Sequence, residues 1–165
     1  MNTMEERSKH TYQTLLYQFA KNILVVCPQC SEQAIVHTGD FEALKKTQYD
    51  IKVVCTNCGY NKTLEKVSPR QEPKQKKGNV LIFGRPIDPF FHLPVWLQAD
   101  FSGQTLWAYN LEHLEFLAEH VGARLRERNS SPRMSRSIGA RLPRWMTAAD
   151  KREAVLKAIE KLKGK

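Results

Sequence analysis

Two cysteine pairs, Cys27-Pro28-Gln29-Cys30 and Cys55-Thr56-Asn57-Cys58-Gly59, constrain this chain more than any other feature. They account for all four of its cysteines and are separated by 24 residues. Two residues between thiols let one tight turn aim both sulfurs at a single ion, and N–H groups of that turn can donate to the sulfurs and spread their charge. Gly59 follows the second pair, where a left-handed backbone costs a side-chain residue more. Pro28 stiffens the first turn. Both pairs lie beside β-like runs: "NILVV" enters Cys27, "EQAIVHT" leaves Cys30, "YDIKVV" enters Cys55 and "KTLEKV" leaves Cys58. A thioredoxin-like redox site needs a single CxxC at a helix start, which this is not. In a reducing compartment the two pairs favour metal over disulfides. The reading is one structural Zn2+ held by Cys27, Cys30, Cys55 and Cys58, with a four-thiolate iron site as the alternative. Four protein ligands leave no open position for water or substrate, so such an ion holds the chain together instead of reacting. It supplies folding energy on the order of 10 kcal/mol, which a module this small cannot draw from its core alone.

Residues 22–67 resemble a zinc ribbon, the superfamily found in general transcription factors, RNA polymerase subunits and ribosomal proteins. The resemblance implies the same four cysteines as ligands. It has two departures. Ser31 stands where the first knuckle often has glycine, and the gap between the pairs is longer than the commonest spacing, with "FEALKKTQ" as an extended hairpin loop. Further on, "LPVWLQ", "LWAYNLEHL", "RLPRWM" and "VLKAIEKL", within residues 80–163, are similar to uncharacterised bacterial proteins that carry an N-terminal zinc ribbon. That second resemblance implies an architecture and no established activity.

The expected fold class is α+β, in four parts: an N-terminal helix over residues 1–21, the ribbon over 22–67, a basic linker over 68–78, and a hairpin-helix module with a basic loop and C-terminal helix over 79–165. Tyr12, Leu15, Leu16, Phe19 and Ile23 fall at the spacing of one helical face. The linker "SPRQEPKQKKG" has two prolines and no apolar anchor. "NVLIF" is a strand candidate, and "VWLQADFSGQTLWAYN" reads as a hairpin turning at Ser102-Gly103. Asn110 suits the N-cap of a helix whose stripe is Leu111, Leu114, Leu117, Ala118, Val121 and Leu125. Thr147, with Asp150 three residues on, resembles a capping box for the last helix. The polar start "MNTMEERSKHTYQ" lacks the apolar stretch of a signal peptide, and no run is long enough to span a bilayer, so a cytoplasmic location is expected.

The net charge of +9 is unevenly spread. Residues 86–123 contain five acids and no Lys or Arg, whereas residues 124–165 contain thirteen basic and four acidic residues. Mobile Lys and Arg bind phosphates with counterion release and need no preformed pocket. The candidates are Lys74, Lys76 and Lys77 in the linker and Arg124, Arg128, Arg133, Arg136, Arg141 and Arg144 in the arginine series. The competing reading is a solubilising loop that neutralises the acidic stretch. Phe90, Phe91, Trp96, Trp107 and Tyr109 read as core in preference to a base-stacking platform. His113 and His120, with Glu112, Glu115 and Glu119, read as a solvated acidic helix face, or as a contact surface for a basic partner. HExxH and Gly-rich phosphate loops are absent. An enzyme would need a pocket joining His92, His113 or His120 to acidic residues. The expected function is a non-enzymatic zinc-ribbon protein that binds nucleic acid or a nucleic-acid complex. The alternative is a protein-interaction module, such as an immunity- or antitoxin-like protein or a regulatory adaptor with an acidic partner. No small-molecule substrate is evident.

Overall fold

Alternating apolar residues on either side of each cysteine pair produce the central feature of the computed structural model, which describes residues 7–8, 14–38, 49–67, 81–123, 125–126 and 137–165. After a two-residue strand β1 (Arg7–Ser8), a four-stranded antiparallel sheet is built from β2 (Ile23–Val26), β3 (Gln33–His37), β4 (Tyr49–Val54) and β5 (Asn61–Val67), in that order. The register pairs Val25 with Ala34 and Val36 with Val53, so the two-residue period carries Ile23, Val25, Ala34, Val36, Ile51 and Val53 to one face, where all are buried. Each fully buried Val or Ile contributes about 1.5–3 kcal/mol relative to exposure.

A second, two-stranded sheet pairs β6 (Leu97–Phe101) with β7 (Gln104–Ala108). Ser102 and Gly103, at φ 52° and 80°, form the two-residue turn with both φ positive whose twist matches a hairpin. Helix α1 (Leu111–Gly122) follows, then β8 (Leu125–Arg126), parallel to β1. Two short helices, α2 (Ile138–Arg141) and α3 (Arg144–Thr147), lead to the C-terminal helix α4 (Arg152–Lys163), which packs on α1 and β6. The class is therefore α+β, as expected.

The four-stranded sheet and the hairpin-helix part share one core. On the side away from β3, strand β2 is continued by backbone bonds: Leu24 N–H donates to Tyr109 O and Val26 N–H to Pro94 O, each at 2.8 Å, and Trp96 N–H donates to Leu24 O at 2.8 Å. The sheet edge is thus covered instead of open. Asn110 caps α1 as expected, its Oδ1 accepting from His113 N–H. Its Nδ2 donates to Phe19 O and Lys21 O, tying the helix start to the chain segment that enters the ribbon.

Three sequence expectations are corrected. Within the described residues of 1–21 the expected helix gives way to strand β1 at Arg7–Ser8 and a 3-10 turn at Leu16–Phe19, and Ile23 belongs to strand β2. Asn22, at φ 50°, breaks the helical run. "NVLIF" is no strand at Leu81–Phe83; the segment enters an irregular loop organised by Gly84, at φ 84°, and by the Asp88 carboxylate, which accepts from the N–H groups of Phe90, Phe91 and Leu93. Thr147 does not open the last helix. Its hydroxyl donates back to Arg144 O at the end of α3, and α4 starts five residues later.

Candidate metal centre

Each cysteine pair forms the turn of a hairpin: Cys27 and Cys30 between β2 and β3, Cys55 and Cys58 between β4 and β5. The two turns repeat one geometry. Cys27 N–H donates to Glu32 O at 2.8 Å and Ser31 N–H to Cys27 O at 3.0 Å. In the second, Cys55 N–H donates to Tyr60 O at 2.8 Å and Gly59 N–H to Cys55 O at 3.0 Å. Ser31 and Gly59 occupy equivalent places, both left-handed, at φ 63° and 78°. The departure from glycine seen in the sequence is therefore absorbed without changing the turn.

All four Sγ atoms lie within 4.8 Å of one another, and Cys27–Cys58 and Cys30–Cys55 are each 3.6 Å apart. These separations are far beyond a disulfide bond of about 2.05 Å, and all four thiols are free. A tetrahedral ion with metal–sulfur distances of about 2.3 Å holds its sulfurs about 3.8 Å apart. The observed spacing fits that cage. Gln29 N–H donates to Cys27 Sγ at 3.4 Å and the Asn57 side-chain amide to Cys30 Sγ at 3.5 Å, contacts that stabilise thiolate charge. The Asn57 amide and the Glu32 backbone lower the Cys30 thiol to about 6. The Tyr60 backbone holds Cys58 down, but burial and the other three thiols outweigh it and push Cys58 up to about 12. Four such groups this close cannot all ionise without a cation, so the arrangement suits a metal. Cys27 and Cys55 are buried, while Cys30 and Cys58 are half-buried.

Of the nine basic candidates, Lys74, Lys76, Lys77, Arg124, Arg128, Arg133 and Arg136 lie outside the described residues. Arg141 ends α2 and Arg144 opens α3, both exposed. On α1, Glu112, Glu115 and Glu119 are exposed, but the histidines between them are not: His113 and His120 are 3% and 1% exposed. That corrects the solvated-face reading. The signal was available, since both histidines are in phase with Leu114, Leu117 and Val121. His113 Nδ1 accepts from Tyr109 N–H at 3.1 Å, its ring stacks on Phe19 at 4.9 Å, and burial lowers it to about 3, so it is neutral at physiological pH. The aromatics are core, as expected: Phe90 and Tyr109 are buried, and Phe91, Trp96 and Trp107 pack against the same cluster. Among the described residues no helix is long and apolar enough to cross a membrane.

Comparison of the chain with protein-family models, with curated proteins and with solved structures returned no match.

Proposed function

We propose that this chain is a cytoplasmic, non-enzymatic zinc-ribbon protein in which one structural Zn2+, held by Cys27, Cys30, Cys55 and Cys58, fixes a platform for binding nucleic acid or a nucleic-acid complex. The observation that carries the metal reading is the pair of cysteine turns with matching hydrogen bonds and with their sulfurs at cage distance. A cage closed by four thiolates has no vacancy for substrate, which supports a scaffolding role over a catalytic one. The nucleic-acid reading is supported by the charge of the C-terminal part, where Arg141, Arg144, Lys151, Lys157 and Lys161 are exposed. The linker lysines and the arginine series would add phosphate contacts.

A second reading, a protein-interaction module, is supported by α1. Glu112, Glu115 and Glu119 share its exposed side, and Leu111, 48% exposed, stands beside them. Part of the basic charge is already directed there: Glu160, and then Glu115, raise the Lys163 ammonium above its usual range. Fluorescence anisotropy with mixed-sequence DNA and RNA separates the two readings. Nucleic-acid binding shows affinity at about 50 mM salt that falls at least tenfold by about 200 mM. Absence of binding at the lower salt rejects the first reading, and a nuclease-resistant complex with a protein supports the second.

A further inference from the structure

Away from the cysteines, a cavity of about 840 Å³ opens between the 3-10 turn, the loop at Phe83 and Gly84, β7, α1 and the α2–α3 corner. This volume is in the range of small-molecule sites, roughly 300–1,000 Å³, which are typically apolar with a few convergent polar groups. Leu16, Phe83, Trp107, Leu117, Leu142 and Met146 supply most of the wall. Its polar members include Thr105, His113 and Arg141. Among the described residues Arg141 is the only charged group in that wall, and no carboxylate faces it.

His113 narrows the chemistry. It is almost completely buried, and its Nδ1 is taken by the Tyr109 N–H, so the ring proton of the neutral imidazole sits on Nε2. Among the described residues the wall therefore offers one cation and no anionic group for a cationic ligand. Arginine at the exposed end of α2 presents a planar fork suited to a carboxylate or sulfonate.

We propose that this cavity binds a small apolar acid, a molecule with an aromatic or aliphatic body and a single anionic group. The body lies against Phe83, Trp107, Leu117 and Met146, and the anion pairs with Arg141. This site is separate from the metal cage and shares only Arg141 with the nucleic-acid reading.

The test uses two dyes on the full, metal-loaded chain without nucleic acid: 1-anilinonaphthalene-8-sulfonate, and N-phenyl-1-naphthylamine, which has the same ring system and no charge. The expected result is saturable one-to-one uptake, with the anionic dye bound at least tenfold more tightly. Arg141→Gln removes that advantage and leaves the neutral dye unchanged. Leu142→Trp fills the cavity and abolishes uptake of both dyes; Thr105→Trp, at the end of a hairpin strand, does the same if the first variant melts early. Three results overturn the proposal: no saturable uptake, which means the chain's own residues close the cavity; an anion preference that survives Arg141→Gln; or uptake undiminished in a folded cavity-filling variant.

Discussion

At Ser31 and Gly59 the same backbone conformation is met by two different residues. A left-handed φ costs an L-residue about 1–2 kcal/mol, and glycine returns part of that through its larger unfolded-state entropy. Ser31→Gly is therefore expected to stabilise the metal-loaded protein by about 0.5 kcal/mol. A Cβ at Gly59 meets nothing within 4 Å, so Gly59→Ala carries the conformational cost without a clash, a loss of about 1 kcal/mol. Urea midpoints at fixed metal concentration check both, and a destabilised Ser31→Gly would contradict the shared geometry. His113 makes a pH-dependent contribution. Burial lowers it from 6.5 to about 3, so between those values the unfolded chain binds a proton that the folded chain refuses. Its stabilising effect is complete above about pH 6.5 and declines by about 1.4 kcal/mol per pH unit as pH falls toward 3. Acid would also release a metal held by the cysteines, in wild type and variant alike. The difference in slope between wild type and His113→Gln isolates the imidazole, and parallel slopes would refute this account. The cysteine cluster was legible in the sequence because the spacing within each pair is local. The burial of His113 was obscured because three glutamates surround it on the same helix, and their charge outweighed its phase.

Among the elements, those specified by neighbouring residues were read correctly and those specified by distant ones were not. The hairpin at Ser102-Gly103 and the Asn110 cap depend on a few adjacent positions, and both formed where expected. The N-terminal segment has helical spacing, yet Ile23 is claimed by its pairing with Val36 across the sheet, a contact no local pattern announces. Thr147 looked like a cap because hydroxyl and carboxylate stood three apart, but α3 ends there and takes the hydroxyl for its own carbonyl. Asn110 does more than cap a helix. Asn110→Ala removes the acceptor for His113 N–H and leaves the carbonyls of Phe19 and Lys21 without their donor, for an expected loss of about 3 kcal/mol. Asn110→Ser keeps an N-cap acceptor and loses the amide donor, so it is expected to fall between wild type and alanine. Thermal melts of the three proteins check the order, and an alanine variant within about 0.5 kcal/mol of wild type would show that the tie carries no weight.

Across the whole molecule, the cysteine-bearing sheet and the hairpin-helix part meet through β2, whose outer edge is bonded to residues 94–96 and 109. All three tryptophans, Trp96, Trp107 and Trp145, lie outside the cysteine-bearing sheet. If the metal supports the ribbon and the ribbon supports the shared core, stripping the metal changes tryptophan fluorescence together with β-sheet circular dichroism in one transition. Titration with a chelator, alongside elemental analysis showing one zinc per chain, checks this. Fluorescence that stays native after metal loss would separate the two parts energetically. The shared core escaped the sequence reading because the basic, proline-containing stretch over 68–78 looks like a boundary, while the bonds that cross it join residues some seventy to eighty-five positions apart. The twinned cysteine turns have a kinetic consequence. Each hairpin carries two of the four thiols, positioned by its own backbone, so an ion captured by either one would already be half coordinated. Assembly is then a docking of two prepared halves around a shared charge, and its entropic barrier is the closure of the chain between them. That barrier grows only with the logarithm of the connecting length, about 0.6 kcal/mol per doubling, so lengthening the chain between the two pairs should slow metal capture only slightly.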